Sequence, residues 1–471
     1  MIDIALIREK PDWVKERLAT LNDPGALERI DTVFALDQQR RAILVDAENT
    51  QAARNRLNKA AGQLRGNKAL TDAQRWARAA AAAEAITAHD YDRAADLLGP
   101  SDAHDLPPSD AGAFEALNAA LGGIGARVNA LNQELAGIEA QLDEAMLWIP
   151  NLPHESVPVF ASEDDNIPWP VEGTLRQFGF TPKPHWELGP QLGIIDFERG
   201  VRLHGTRGFV LRGDGARLQR ALISFYLDQA RAKGYTEVYV PYMVREEMMV
   251  GAAQFPKFRD TVYTDPDAEL VMIPTAEVAI TNLHRDEILD ESVLPLYYVA
   301  HTPCFRREKT SAGRDVRGIK RVHQFEKVEM YKFTTPETSY AELESLTEDA
   351  CDLLRKLGLA FRRLEIVTGD LGFAASKKYD VETWAPGSEE WLEVSSCSNT
   401  EDFQARRANL KYRPAEGKRT RFLHTLNGSG LPTARVIIAI LENYQQADGS
   451  VVIPDALRPY MGGQSVIEAR P

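Results

Sequence analysis

The segment CFRREKTSAGRDVRGIKRVHQFEKVEMYKF, residues 304–333, decides how this chain is read. Strand-like sequence at both ends encloses a polar, glycine-bearing loop, a strand–loop–strand unit. Nine cations, Arg306, Arg307, Lys309, Arg314, Arg317, Lys320, Arg321, Lys327 and Lys332, stand against Glu308, Asp315, Glu326 and Glu329, a local charge of +5. The chain as a whole is acidic: 471 residues with 55 Lys and Arg, 69 Asp and Glu, and a net charge of −14. A general basic coat is excluded, whereas a local patch is not. Arginine suits bidentate contact with phosphate. Glu308 and Glu329 suit an ammonium, a metal or a ring amine.

Around this unit the sequence alternates helix and strand signals. ARLQRALISFYLDQARAKG (216–234) places Leu218, Ala221, Leu222 and Phe225 on one helical face. TEVYVP (236–241), LYYVA (296–300), KVEMYKF (327–333) and WLEVSS (391–396) read as strands. They lack regular βαβ spacing, so an α+β domain on a mainly antiparallel sheet is expected. No repeat of 20–50 residues is visible. Neither GxxxxGK[ST] nor HExxH occurs, and GSGLPTA (428–434) lacks the third glycine of a dinucleotide fingerprint. Phosphate binding would fall to arginines.

The first third differs. Leu117, Leu121, Ile124, Val128, Leu131, Leu135, Ile138 and Leu142 alternate at spacings of four and three, a heptad seam. Val33, Leu36, Arg40, Ile43, Ala47, Thr50, Arg54, Leu57, Ala61 and Leu64 keep the same alternation with polar interruptions. These predict an antiparallel helical arm over about 30–148, with helices near 30–65 and 112–148. An Ala-rich helix over 71–98 lies between turn-rich RGNK (65–68) and GPSDAHDLPPSDAG (99–112). Helix one carries Arg40, Arg41, Arg54, Arg56, Lys59, Arg65 and Lys68. This reads either as a solvated face or as a lever on a nucleic-acid backbone. Pro150, Pro153, Pro158 and Pro168 end the arm.

Apolar residues make up 44% and charged residues 26%, an ordinary globular balance. Cys304, Cys351 and Cys397 form no pairing motif, so neither a disulfide framework nor a cysteine zinc site is expected. MIDIALIREKPDW carries Asp3 and Glu9 where an export signal would be basic and then apolar. VIIAIL (436–441) is too short to span a bilayer. A cytoplasmic protein with no membrane partner is expected.

FRxE, a loop and F-x-x-x-E together resemble motif 2 of class II aminoacyl-tRNA synthetases (304–333). GSGLPTARVIIAILE (428–442) resembles their motif 3, and GARLQRALISFYLDQARAKGYTEVYVP (215–241) their motif 1. PTAE (274–277), SAGRDVRGIKRVHQFEKVEM (311–330), TGDLGFAASKKYD (368–380), EVSSCSN (393–399), FQARR (403–407), HTLNGSGLP (424–432) and LRPYMGG (457–463) narrow the resemblance to the seryl-tRNA synthetase family. It covers nearly the whole chain, arm included. It implies an N-terminal tRNA-binding domain over 1–150 and a class II catalytic domain over 151–471.

The resemblance implies ATP-dependent formation of seryl-adenylate and transfer of the seryl group to tRNA(Ser), with tRNA(Sec) as a second candidate acceptor. ATP is the second substrate and Mg²⁺ the cofactor; a homodimer with motif 1 at its interface is expected, and no DNA partner. Arg306 and Arg435 match the catalytic arginines, Arg306 bridging the α-phosphate and the serine carboxylate and Arg435 lying toward the γ-phosphate. Glu308 matches the adenine-reading carboxylate, Phe325 the ring beneath adenine, and Glu393, Val394, Ser395 and Ser396 the ATP segment. Glu393 and Ser396 match the Mg²⁺ positions. Thr275, Ala276, Glu277, Arg306, Glu329, Ser429 and Asn427 match the serine pocket, with the roles of Glu277 and Glu329 undivided. The arm would grip the tRNA's long variable arm and elbow. Residues 71–111 exceed the usual hairpin and are read as a passive insertion. Arg307, Lys309 and Thr310 make the motif 2 loop more basic and bulkier than the family's, and SNTED (398–402) lacks a second cysteine.

Overall fold

The computed structural model describes residues 1–100, 105–265, 267, 269–309, 317–417 and 419–468. Thr310, Arg314 and Asp315 of the basic loop, and residues 101–104 of the extra segment, lie outside the described residues. The chain divides into two compact units, one of residues 28–146 and one of residues 1–27 with 147–471.

In the smaller unit, α1 (Ala26–Gly66) and α4 (Ala113–Leu147) form the long helices. Asp46 pairs with Arg127 and Arg40 with Glu139, so the two run antiparallel. The heptad residues Leu57, Ala61, Leu64, Leu117, Leu121 and Ile124 are buried where the hairpin is joined by α2 (Asp72–Thr87) and α3 (Tyr91–Leu98). The expected single helix over 71–98 is thus two. It breaks at His89, whose φ is +62°. Asp90 caps α3 by accepting from the Arg93 amide, and Thr71 with Gln74 forms a capping box on α2. Small alanines let α2 approach closely: Ala79, Ala82, Ala83 and Ala85 are buried with Leu97 and Leu98. The arm's arginines are engaged: Arg41 pairs with Asp37, Arg56 with Asp92, and Arg65 donates to Asn118.

The larger unit is built on one eight-stranded sheet. In chain order its strands are β1 (Ile167–Pro168), β2 (Thr236–Glu237), β3 (Leu296–Phe305), β4 (Gln324–Thr334), β5 (Phe361–Glu365), β6 (Lys377–Ala385), β7 (Glu390–Asn399) and β8 (His424–Pro432). Their spatial order is β1-β5-β6-β7-β8-β4-β3-β2. Every pairing is antiparallel except β2 beside β3. This is the α+β architecture expected from the sequence.

Three helices pack with this sheet: α5 (Asp214–Ala232), α6 (Ser339–Lys356) and α7 (Thr433–Tyr444). α7 is apolar on nearly every side, and Val436 to Leu441 are buried throughout, as such a helix requires. The core joins α5 residues Leu218, Leu222 and Phe225 to Val328 and Met330 of β4 and Leu392 and Val394 of β7. The N-terminal residues belong to this unit too: Asp3 pairs with Arg406, and Arg17 donates to the Pro153 carbonyl. Among the described residues, no helix is long and apolar enough to cross a membrane.

Candidate functional site

Strand alternation decides which side chains of β4 leave the core. Val328 and Met330 point inward, so Phe325, Lys327 and Glu329 share the opposite face. β3 pairs with β4 until Phe305 meets Gln324, and the chain then turns away with Arg306 at its end. Arg306 Nε donates to the Pro274 carbonyl at 3.3 Å, and its guanidinium carbon lies 5.2 Å from the Phe325 ring centroid.

One cleft is lined by Arg306, Glu308, Lys320, Arg321, Phe325, Lys327, Glu393, Val394, Ser395, Ser429 and Arg435, with Val322, Pro432 and Ala434. Arg435 stands in the first turn of α7. Its Nη1 donates to the Glu393 carbonyl at 2.7 Å, and the same nitrogen lies 3.6 Å from Glu393 Oε2. Glu308, at φ +44°, ion-pairs with Arg207 at 3.9 Å and Arg321 at 3.8 Å. It therefore sits in the cleft wall with cations on two sides.

Glu393 and Ser396 are three apart, a spacing that a regular strand would split between faces. A bulge solves this. Val381 faces Ser395 and Glu382 faces Glu393, leaving Val394 as the extra residue. Glu393 has protein packed around it, yet half its side chain remains open to the cleft. That surrounding protein pushes its carboxyl upward, but Arg435, Lys378, Arg306 and Arg321 outweigh this and hold it below its usual value. Ser396 is not among the residues lining the cleft; it faces Asp380 across the β6–β7 ladder. Burial raises Asp380 to about 7, against the pull of Lys378 and with Glu393 adding to the rise. Its Oδ1 is buried without a partner among the described residues.

Beside the cleft lies a second, enclosed group. Thr275 donates to Glu329 Oε2 at 2.9 Å, and Lys327 Nζ donates to the Thr275 hydroxyl at 2.8 Å while ion-pairing with the same carboxylate oxygen. Glu277 Oε1 accepts from Gln404 at 2.6 Å. Gln404 is itself fixed by Tyr331 and Thr425, which donate to its oxygen at 2.9 and 2.8 Å. Burial, then the nearby Glu329, raises Glu277 to about 7 despite the Gln404 bond. Ala276 is fully buried next to these groups.

Ser429 lies on β8 opposite Glu329, and Asn427 opposite Tyr331. Gly428 between them has no room for a side chain, since a Cβ there would lie 2.9 Å from Leu346 of α6. The β8–β4 register then shifts between Ser429 and Pro432, where Leu431 adopts φ +76°.

The structure thus brings Arg306, Glu308, Phe325, Glu393, Val394, Ser395, Ser429 and Arg435 to one cleft. Thr275 and Glu329 join it through Lys327; Glu277 is held next to them by Gln404. Two participants were not singled out from sequence. Lys327 carried a usable signal, since it lies two residues before Glu329 on one strand and so shares its face. Gln404 carried none: it reaches Glu277 only through the fold.

The oxygen donors fit a magnesium ion with limits. Glu393 offers an ionised carboxylate and Ser396 a hydroxyl, hard ligands of the kind Mg²⁺ takes. No group of three or more His, Cys, Asp or Glu suited to a metal occurs among the described residues.

Residues 1–92 match the family model for the seryl-tRNA synthetase N-terminal domain, and residues 259–444 match that for the tRNA synthetase class II core domain (G, H, P, S and T). A serine--tRNA ligase of Roseiflexus sp. (strain RS-1) is 54% identical over 99% of both chains. The crystal structure of seryl-tRNA synthetase from Pyrococcus horikoshii complexed with ATP is 34% identical, with a TM-score of 0.86 over 100% of both chains. That of a cytoplasmic serine-tRNA ligase from Naegleria fowleri in complex with AMP is 30% identical, with a TM-score of 0.85 over 100% of this chain and 99% of that one.

Proposed function

The chain belongs to the seryl-tRNA synthetase family, class II ligases that join serine to tRNA, and from that premise we propose that its cleft makes seryl-adenylate before charging tRNA(Ser). The observation that carries this reading is the placement of Arg306. It touches the Pro274–Thr275 corner on one side and the Phe325 ring on the other. A single guanidinium there can hold the serine carboxylate and the α-phosphate together.

In the first step a serine carboxylate oxygen attacks the α-phosphorus of ATP. One P–O bond forms, the bond to the β-phosphate oxygen breaks, and pyrophosphate leaves with the electron pair. The attacking oxygen is already ionised, so no proton must be removed. Positioning and charge stabilisation supply the catalysis. Arg306 aligns the two anions. Phe325 stacks under the adenine, and Glu308 accepts from its amine. Arg435, in the first turn of α7, takes the γ-phosphate where the helix's own amides also favour an anion. Glu393 and Ser396 are the residues that would hold Mg²⁺ when ATP is bound, with Val394 and Ser395 forming the adjoining wall. The metal, when bound, neutralises charge on the triphosphate.

Thr275, Ala276, Glu277, Glu329, Ser429 and Asn427 form the serine pocket, and Arg306 closes its carboxylate end. In the second step a ribose hydroxyl at the tRNA 3′ end attacks the adenylate carbonyl. The ester bond forms, the bond to AMP breaks, and the hydroxyl proton departs with the products.

The arm serves as the tRNA lever and residues 151–471 as the catalytic domain. The exposed ion pair of Arg56 with Asp92 is worth little, so a phosphate can replace its carboxylate partner at small cost. A homodimer through motif 1 is part of the same reading. Tyr239 in motif 1 is 84% exposed and Leu203 81%, apolar surface that a partner copy would cover. The buried, unpaired cysteines Cys304, Cys351 and Cys397 support the cytoplasm as its compartment. The test is charging of tRNA(Ser) with labelled serine, ATP and magnesium, with tRNA(Sec) assayed beside it. Formation of an alkali-labile seryl ester is expected; its absence on tRNA(Ser) would contradict the reading.

A further inference from the structure

The two carboxylates of the enclosed group are compensated very differently. Glu329 is wholly buried and carries a full counter-charge: Lys327 contacts its Oε2, and Thr275 donates to that same oxygen. Lys327 is held in turn by its 2.8 Å bond to Thr275, so the three side chains form a closed triangle. All of this falls on one oxygen. Glu329 Oε1 is buried and accepts from nothing among the described residues. An orphaned buried acceptor costs free energy, so such an atom in an otherwise satisfied cluster marks where a donor is missing. Glu277 is the reverse case. It accepts from the neutral amide of Gln404 and makes no ion pair among the described residues.

We infer that Lys327 is a specificity-determining positioning residue: it neutralises Glu329 and turns it so that Oε1 is reserved for the serine hydroxyl, leaving Glu277 as the net negative charge for the serine ammonium. The inference rests on the serine reading of the pocket. Its physical content is a division of labour. A carboxylate paired with a lysine is close to neutral as a unit, so its spare oxygen takes a neutral donor without demanding a cation. Without Lys327 the pocket would hold two buried anions facing one ammonium. It would then favour an amino acid with a second cationic group over serine. Rejection of alanine follows from the same atom, because alanine leaves Oε1 unpaired.

The test needs the full-length protein and ATP–pyrophosphate exchange. In the wild-type protein, 2,3-diaminopropionate places an ammonium where serine has its hydroxyl. It is expected to inhibit with a Ki at least ~100-fold above the serine KM. The substitution Lys327→Met is expected to raise the serine KM about 100-fold, leave the ATP KM and the alanine Ki within about threefold, and tighten the diaminopropionate Ki. In a Glu329→Gln background the same substitution should change the serine KM less than threefold, because Lys327 acts through Glu329. Tight binding of diaminopropionate to the wild-type protein would overturn the inference, and it requires no variant to fold. So would a parallel rise in serine KM and alanine Ki, or full additivity with Glu329→Gln. A wild-type protein with no serine-dependent exchange would overturn the reading of the pocket itself, a different result from any of these.

Discussion

The Arg306 guanidinium lies 5.2 Å from the centre of the Phe325 ring while its Nε is tied to the Pro274 carbonyl at 3.3 Å. One residue at the end of β3 therefore joins the aromatic floor of the cleft to the corner that carries Thr275. Loss of the cation should uncouple the two halves. Arg306→Ala is expected to reduce adenylate formation by at least ~10³-fold, in line with removal of a main charge-stabilising group. Circular dichroism and the thermal midpoint should stay near wild type, because Arg306 makes one backbone bond and no ion pair among the described residues. Phe325→Ala, by contrast, should raise the ATP KM by about tenfold, the scale of one aromatic contact, and leave the serine KM unchanged.

Glu393 couples the metal side to Arg435. Glu393→Gln keeps the shape but removes the charge that Arg435, Lys378, Arg306 and Arg321 hold ionised. The magnesium concentration giving half-maximal exchange should rise, by about 10-fold to 100-fold, the usual effect of weakening a metal site. A magnesium titration at saturating ATP reads this directly, and an unchanged midpoint would remove Glu393 from the metal's ligands.

Much of this architecture was legible in the chain. The 3–4 alternation from Leu117 to Leu142 has one helical solution, and β-type runs such as KVEMYKF have one strand solution. What escaped was long-range or register-dependent. The Ala-rich stretch 71–98 reads as one helix, so the break at His89 is invisible until Asp90 is seen capping a second helix. The Glu393–Ser396 spacing looks irregular for a strand because the extra residue, Val394, exists only relative to β6. Arg207 stands 101 positions from Glu308 in sequence, yet flanks it in the cleft wall. Gln404 supports Glu277 from 127 positions away. Such partners follow from topology, which single-strand patterns do not encode.

Glu277 gives the stability a pH signature. Its value in the folded chain, about 7, lies above its ordinary 4.5. Between those pH values the folded chain holds a proton that the unfolded chain has released, so this group's contribution falls as pH rises. The span corresponds to about 3 kcal/mol. Glu277→Gln cannot lose that proton. Urea unfolding at pH 5 and pH 8 should show the variant gaining about 3 kcal/mol relative to wild type between the two. A difference independent of pH would contradict the assignment. Serine binding should run the other way, with the wild-type serine KM rising below pH 7 as the anion for the ammonium is lost.

Residues 28–146 form their own compact unit with their own core around Leu57, Leu97 and Leu117. Removal of that unit, with a short Gly/Ser linker between 27 and 147, should leave adenylate formation within about threefold and abolish tRNA charging, since phosphate contacts supply most of the affinity for a nucleic acid. Equal loss of both activities would show that the arm is not a separable tRNA lever.

The most direct measurement is magnesium-dependent ATP–pyrophosphate exchange with the purified protein against all twenty amino acids. Exchange with serine alone is expected from a cleft in which Arg306 joins an ATP site to a pocket of Thr275, Glu277, Glu329 and Ser429. Exchange driven by a different amino acid, or by none, would contradict it.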